Sequence, residues 1–470
     1  MIPEVFVITL PFLTLPITTL YFGLEEFGII AIFSLCQLPF ILLQEFGTSY
    51  VMPAMWFNLN KTERCSFLST LIWTSCGLSI LSILLITPFH EWFFCLLAND
   101  SSDMIISLYP WMLICVFSNF VVPVYSNWIV ITERSRLFMK LKLLELLSTT
   151  SITVFLIIYT QNVSFVIIGS CIVIVVFNVI RLLILIPHIS FVFNQSYFKE
   201  TFKIGYPIFL RSLFNQVSKN TDKYILSTLS KTSQFALYNF AIRFQSMFGV
   251  INNHFTKVYS PRLYKSLSQG KTSHPNLNRI FFCWFYLIFF GSGVFLFFGD
   301  QIIILMSNGV YKDSFLIILI LTVGFIVSGS FSGVSEPLVY YKKTGVILFI
   351  SIFTTFISVP LTFILINYFS VIGAAIGVVI YIFIKNCFTC IFKYRLTKVI
   401  YIELKTALYS LCYCFVVGLY AHGEYSLSTK LFCLVFTILT VHLFIIERAA
   451  ALFGIRYLYN VATQINLSKY

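Results

Sequence analysis

Long apolar runs recur along the whole chain and constrain its fold more than any other feature. Many of them reach the ~20 residues that a helix needs to cross a bilayer. The chain of 470 residues is 59% hydrophobic and only 10% charged, whereas about a quarter of the residues in soluble proteins are charged. We therefore predict an all-α polytopic membrane protein. The first apolar run lacks a basic lead-in and a small-residue cleavage site, so we expect no cleavable signal peptide.

Fourteen apolar runs are predicted to span the membrane. They are 3–22, 28–48, 65–88, 104–131, 142–160, 163–187, 203–229, 234–257, 279–299, 314–334, 345–367, 371–394, 403–421 and 428–446. The first begins almost at the initiator Met, and counts of 12 or 13 stay open. We predict an N-terminal six-helix lobe (1–190), a C-terminal six-helix lobe (200–396), and two extra helices with a cytoplasmic tail (397–470), arranged around a central cationic cavity.

The loops between these runs alternate in charge, and this alternation predicts the orientation. If the N-terminus is cytoplasmic, the external loops hold only Lys231, Lys312 and Lys430, and nearly all other loop lysines and arginines are cytoplasmic. Such a bias is typical of membrane proteins, because Lys and Arg stay on the cytoplasmic side. The net charge of +13 therefore reflects membrane topology, and we expect no nucleic-acid partner. No loop is long enough for a catalytic domain; the largest internal one is about 258–278.

One predicted span is unusually polar. On a helix at 100° per residue, eight polar residues from Arg211 to Lys223 share one face. They are Arg211, Ser212, Asn215, Gln216, Ser218, Lys219, Asp222 and Lys223. A charge at the bilayer centre costs about 2.5–3.5 kcal/mol, so this face needs water, an anion or an ion pair. One reading pairs Asp222 with Lys219 or Lys223 to hold helices together. The excess of cations instead favours a hydrated cavity for an anionic substrate.

Further candidates lie in other spans. Arg243 and Lys385 are cations inside predicted spans and are candidates to bind the same anion. Arg181 is a third, although it lies nearer the cytoplasmic end, where its side chain could simply reach the surface. Asp222 and Glu45 are candidates to carry a coupling ion. Two other acids, Glu4 and Glu145, lie near the cytoplasmic interface, where we expect them to be solvated.

Two pairs of motifs resemble a known family. The first pair is LPFLTLPITTLYFGLEEFGIIAIFSL followed by LLQEFG at 42–47; the second is GYPIFLRSLFNQVSKNTDKYILS followed by LYNFAIRF at 237–244. Together they resemble the Wzx-type polysaccharide and O-antigen flippases of the multidrug/oligosaccharidyl-lipid/polysaccharide exporter superfamily. The family pattern Asn-x-x-Asp-[Lys/Arg] appears here as Lys219-Asn220-Thr221-Asp222-Lys223. This chain has Glu45 where the family usually has Asp, and it lacks the Arg that usually follows.

The resemblance implies a function and a location. It implies two lobes that alternate in access and move an undecaprenyl-pyrophosphate-linked oligosaccharide, such as an O-antigen repeat unit of lipopolysaccharide, across the bacterial inner membrane. It also implies coupling to protons or sodium. The expected partners are the lipid-linked substrate and membrane lipid, with a polysaccharide polymerase and a chain-length regulator as candidate protein partners. No cofactor is expected.

Three other classes of protein are alternatives to a flippase. A multidrug exporter of the same superfamily usually takes cations, so its embedded acids should outnumber its bases. A polysaccharide polymerase would need a long external loop, and a glycosyltransferase would need an exposed acidic cluster. A membrane scaffold would not be expected to keep a cationic face at this energetic cost.

The 12 cysteines, including Cys387 and Cys390 with C-x-x-C spacing, are interpreted as small apolar side chains that fill the core. We therefore predict no disulfide framework, no catalytic residues and no metal site.

Overall fold

The structure, a computed structural model, describes residues 14–57, 59–98, 102–190, 192–269, 275–341 and 343–397. Within these ranges the chain is helical and contains no strand. The helices are α1 (Leu15–Tyr21), α2 (Leu24–Glu45), α3 (Thr48–Trp56), α4 (Lys61–Ile86), α5 (His90–Ala98), α6 (Ser102–Ser107), α7 (Tyr109–Ser118), α8 (Val121–Ile131), α9 (Ser135–Thr160), α10 (Val163–Leu185), α11 (Gln195–Leu229), α12 (Thr232–Ser268), α13 (Pro275–Ser307), α14 (Phe315–Ser330), α15 (Glu336–Tyr340) and α16 (Thr344–Thr397).

The helices agree with the predicted all-α membrane fold. Seven helical stretches of the described chain are long and apolar enough to cross a bilayer. Each predicted span from 28–48 to 371–394 coincides with one helix or a broken run of helices. The spans 403–421 and 428–446, and the start of 3–22, lie outside the described residues.

The long helix α16 covers two of the predicted spans. Ser370, with a φ of 50° and a ψ of −125°, is not helical and separates two arms, 344–369 and 371–397. These arms are the spans predicted at 345–367 and 371–394. The two predicted spans therefore exist as separate helical arms joined at a sharp bend.

Several local features were not predicted. Phe46 and Gly47 have φ values of 31° and 73°, in the left-handed region that ends a right-handed helix, so α2 stops there and the short helix α3 follows. The loop between the predicted spans 65–88 and 104–131 contains α5, an apolar segment too short to span a bilayer. Helix α12 continues to Ser268, so the first half of the predicted loop 258–278 is helical.

The fourth predicted span, 104–131, is broken into three helices. It is interrupted at Leu108 and again around Asn119. Pro110 and Pro123 lie in the first turns of α7 and α8, where a proline ring and its missing N–H are tolerated. The second break leaves side-chain amide and hydroxyl groups inside the membrane region, where they need partners.

The two halves of the chain pack directly against each other through α2. Near its start, a Cβ added at Gly28 would lie 2.5 Å from the Thr232 carbonyl oxygen of α12. Just past its end, a Cβ at Gly205 of α11 would lie 2.7 Å from the Phe46 carbonyl oxygen. Both sites require glycine because the backbone of the other half occupies the space of a side chain. A single apolar core joins the two halves, with Phe27, Phe240 and Tyr311 among its buried members.

Candidate functional site

A cavity of about 350 Å³ lies among α11, α12, α14 and both arms of α16. Its lining is rich in polar side chains and consists of Ser218, Lys219, Thr221, Asp222, Lys223, Ile242, Gln245, Ser328, Ser358, Thr362, Gly377, Val378, Tyr381, Ile382, Lys385 and Asn386. All of these residues belong to the second half of the chain. The sequence predicted a cavity between the two lobes, whereas this cavity lies within the predicted C-terminal lobe.

Helix α11 carries the charged residues Lys219, Asp222 and Lys223 into the cavity. The helix begins at Asn194, whose side chain accepts a hydrogen bond from the Ser196 N–H, an arrangement that stabilises a helix start. Residues three and four apart lie on the same face of a helix, so the three charged side chains point the same way. Lys219 lies ten residues before the last residue of α11, or about 15 Å at 1.5 Å per residue. In the predicted topology the end of α11 lies at the external surface, and this distance would then be about half of the ~30 Å hydrocarbon core.

Lys219 is exposed although it lies at this depth. In the described part of the chain it forms no ion pair with Asp222 or any other acid. A charge facing lipid at this depth would cost about 2.5–3.5 kcal/mol, and exposure to a hydrated cavity avoids most of that cost. The arrangement agrees with a water-accessible cationic cavity.

The other charged groups of the cavity have neutral partners. Lys223 Nζ donates to Asn220 Oδ1 at 3.1 Å. The ammonium of Lys385 donates to the Tyr381 hydroxyl oxygen at 3.1 Å and lies 5.4 Å from the centre of the same ring. The Asp222 carboxylate accepts a hydrogen bond from the Tyr238 hydroxyl. No ion pair joins Asp222 to Lys219 or Lys223 in the described chain, so the alternative of a structural ion pair on α11 is wrong for this structure.

Hydroxyl groups complete the lining. Ser218 is hydrogen-bonded to Thr355 of the first arm of α16, which ties that arm to α11. Ser358, Thr362 and Ser328 add further hydroxyl groups, and Gln245 and Asn386 add amides. The cavity thus presents ammonium and hydroxyl donors, which suit phosphate and sugar oxygens.

Three predicted substrate-binding residues lie near the cavity but not in its lining. Arg211 and Asn215 are half-buried on α11, one to two turns before Lys219. Arg243 lies between the lining residues Ile242 and Gln245, yet its guanidinium carbon lies 4.7 Å from the centre of the Phe27 ring. Because Phe27 belongs to α2, Arg243 faces the contact between the two halves of the chain.

Arg181 lies in a different environment from the cavity. It is 7% exposed, and its Nη2 lies 2.6 Å from Glu145 Oε2 of α9. Its Nη1 donates to Asn178 Oδ1 at 2.5 Å, and the Asn178 amide donates to Ser118 and Asn119 at the break in the fourth span. Arg181 therefore does not reach the membrane surface, and its role in substrate binding stays a prediction.

Two acidic residues, Glu145 and Glu45, lie outside the cavity lining. We predicted that Glu145 is solvated, but it is buried, because the buried guanidinium of Arg181 next to it requires a counter-ion. A second cation, Lys142, also contacts Glu145, with its Nζ at 2.9 Å. Glu45 is half-buried and is the last residue of α2, away from the cavity lining.

Three residues around the charges were missed by the sequence analysis, namely Tyr238, Asn220 and Tyr381. Asn220 and Tyr381 lie at helical spacing from the lysines that they contact, so an (i, i+3) or (i, i+4) search would have found them. Tyr238 lies in the motif LYNFAIRF, but its partner Asp222 is on another helix. Only the packing of α11 against α12 reveals that pair.

The fold matches solved membrane transporters over nearly the whole chain. The chain is similar to a lipid II flippase, MurJ, in an inward closed conformation (TM-score 0.77, 17% identity, covering 96% of this chain and 98% of that one). It is also similar to an inward-facing multidrug transporter of the MATE family (TM-score 0.62, 14% identity, 87% and 95%). A third match is a transporter of the same superfamily from Pyrococcus furiosus (TM-score 0.55, 13% identity, 88% and 94%). At these identities the similarity shows the fold alone.

Sequence comparison identifies the family. No curated protein matches the chain. The family model described as "Polysaccharide biosynthesis protein" matches residues 4–267, which is more than half of the 470 residues. That range includes both pairs of motifs noted in the sequence. The chain therefore belongs to the polysaccharide biosynthesis protein family.

Proposed function

We propose that this protein is a flippase that moves an undecaprenyl-pyrophosphate-linked oligosaccharide from the cytoplasmic to the periplasmic leaflet. The observation that carries the proposal is the cationic cavity at the depth of Lys219. Its lining holds three lysines and one aspartate, which leaves two positive charges. A pyrophosphate that links a lipid to a sugar carries two ionised oxygens, so the head group and the cavity have matching charge.

Physical chemistry favours such a substrate. A pyrophosphate that enters the membrane loses most of its water and needs charged donors in exchange. Lys219, Lys223 and Lys385 would contact its oxygens, and the surrounding serines and threonines would contact the first sugar. The observed volume of about 350 Å³ suits a pyrophosphate with a sugar attached, so longer glycans would extend beyond it.

The family and the fold support a transporter of this kind. The family is named for polysaccharide biosynthesis, and one structural match is named a lipid II flippase. A multidrug exporter of cations is the alternative, and the excess of lysines in the cavity opposes it. An enzyme would require catalytic groups in the cavity, whereas the cavity is lined by ammonium, hydroxyl and amide groups that suit binding.

Alternating access would proceed by movement of two lobes, residues 1–190 and 200–396. Their contact through Arg243 and Phe27, and through Gly28 and Thr232, would have to open in one state. Arg211 and Asn215 would guide the head group along α11, and Arg243 would add positive charge. Arg181 would add a further charge only after it separates from Glu145. Asp222 or Glu45 would respond to the coupling ion. The protein would lie in the bacterial inner membrane with a cytoplasmic N-terminus, upstream of a polymerase and a chain-length regulator.

The test is a flipping assay with purified protein in liposomes. A fluorescent undecaprenyl-pyrophosphate-linked oligosaccharide is quenched by a reductant that cannot cross the membrane, so flipping appears as a change in the accessible fraction. Replacing both Lys219 and Lys385 with Ala should lower the flipping rate by about tenfold or more, because two charge-assisted contacts are lost.

Lys231→Ala is the matched control, since Lys231 is an exposed lysine at the start of α12 and outside the cavity. Flipping at an equal rate in the double variant and in the control would reject the proposal. A cationic dye in the same liposomes tests the drug-exporter alternative, which predicts that the double variant transports the dye faster.

A further inference from the structure

The charged groups of the cavity are kept apart by neutral partners. Lys223 is bonded to Asn220, Lys385 to Tyr381, and Asp222 to Tyr238. Each of these partners is uncharged, so none cancels the charge that it holds. Without such partners, a carboxylate in a cavity lined by three lysines would be expected to pair with one of them, because opposite charges attract each other at short distance.

Asp222 is the acid that could neutralise one of these lysines by forming an ion pair. Among the described residues that line the cavity it is the only acid. It lies three residues from Lys219, a spacing at which side chains of one helix meet, and Lys223 is its neighbour in sequence, so the carboxylate lies close to both lysines along the helix. An ion pair with either lysine would remove one of the cations that an anion could contact.

Tyr238 of α12 contacts this carboxylate. Its side chain is completely buried on α12, and its hydroxyl is the donor to Asp222 Oδ2. A buried tyrosine ring is fixed by its neighbours, so its hydroxyl holds the carboxylate at the wall where α11 meets α12. The hydrogen bond joins α11 to α12 and so connects the two motifs KNTDK and LYNFAIRF.

We infer that Tyr238 is a positioning residue for anion recognition, which holds the Asp222 carboxylate away from Lys219 and Lys223 so that both lysines can contact a phosphate. The inference rests on the proposed function, because it concerns the same cavity. It assigns to Tyr238 a role in specificity, although the tyrosine does not line the cavity.

The experiment measures the binding of inorganic pyrophosphate to the full-length protein in detergent by calorimetry. Tyr238→Phe removes one hydroxyl and should weaken binding by about tenfold, because a freed carboxylate competes for one lysine. Asp222→Asn should bind at least as tightly as the natural protein. The decisive variant combines both changes: with no carboxylate to release, it should bind like Asp222→Asn alone.

A purely structural role for Tyr238 predicts a different pattern. In that case the combined variant would bind as weakly as Tyr238→Phe, since the lost hydroxyl would still disturb the packing, and this result would overturn the inference. Unchanged or tighter binding by Tyr238→Phe would overturn it as well. Thermal unfolding of each variant is recorded in parallel, and a correctly folded Tyr238→Phe protein with weakened binding supports the assignment.

Failure of the proposed function would look different from failure of the inference. If the natural protein does not bind pyrophosphate, or binds it as well after Lys219→Met, the cavity is not an anion site and both ideas fail. If Lys219→Met abolishes binding but Tyr238→Phe does not affect it, only the role of Tyr238 is rejected. Lys231→Ala serves as the control for nonspecific attraction of pyrophosphate to surface lysines.

Discussion

Two groups of charged side chains within the helical bundle have opposite environments. In the first half of the chain, Arg181 is paired with Glu145 at 2.6 Å, and the pair is closed off by Asn178 and Lys142. In the second half, Lys219, Lys223 and Lys385 line a cavity and have no acidic partner in the described chain. A neutralised charge holds helices together, whereas an unneutralised one facing water remains available to a ligand.

The difference has an energetic basis. A buried ion pair often adds no net stability compared with apolar residues of similar size. Removal of one partner, however, leaves an uncompensated buried charge and destabilises the protein. A cation in a hydrated cavity keeps much of its solvation and depends less on any single partner. Charges in the first half should therefore matter for stability, and charges in the second half for binding.

The largest effect is expected at Glu145. Glu145→Leu leaves the Arg181 guanidinium buried without its carboxylate, so the free energy of unfolding should fall by about 3–5 kcal/mol. Chemical unfolding in detergent, followed by intrinsic fluorescence, measures this loss. The matched variant Glu145→Leu with Arg181→Met removes both charges and should recover most of the stability. A single variant as stable as the natural protein would break the comparison.

A smaller effect of opposite sign is expected at Lys219. Lys219→Met removes one of several like charges from the cavity, so the free energy of unfolding should rise by up to about 1 kcal/mol. The same unfolding measurement detects it, with Lys231→Ala as the control. If Lys219→Met destabilises the protein as much as Glu145→Leu, Lys219 is a structural charge and the distinction between the two regions disappears.

The smallest effect concerns salt. Raising the NaCl concentration from about 0.05 M to 0.5 M should weaken pyrophosphate binding several-fold, because water in the cavity admits screening ions. The stability difference between the natural protein and Glu145→Leu should change little over the same range, since a dry ion pair is poorly screened. Equal salt dependence of the two quantities would indicate that both regions are equally hydrated.

The sequence predicts the architecture well because apolar length is a local property. Each span from 28–48 to 371–394 is helical, and Lys219, Asp222 and Lys223 share a face as predicted, since helical spacing alone determines both results. The boundaries are less well predicted where a backbone conformation decides them, as at Phe46 and Gly47.

Partners on other helices could not be predicted. The contact of Asp222 with Tyr238, of Arg181 with Glu145 and of Arg243 with Phe27 each depends on which helices pack together. For the same reason the sequence did not reveal that the cavity belongs to one half of the chain. A single sequence predicts where the helices lie, but which helix faces pack together depends on the whole fold.

The depth of Lys219 has a consequence for membrane voltage. Moving one elementary charge across the bilayer involves about 2.3 kcal/mol per 100 mV, and a cavity with two excess positive charges would be nearly neutral when it holds a pyrophosphate. In a carrier of the proposed kind, the loaded step would therefore be almost indifferent to voltage. The return of the empty, positively charged cavity toward a negative cell interior is the step that the electrical potential would accelerate.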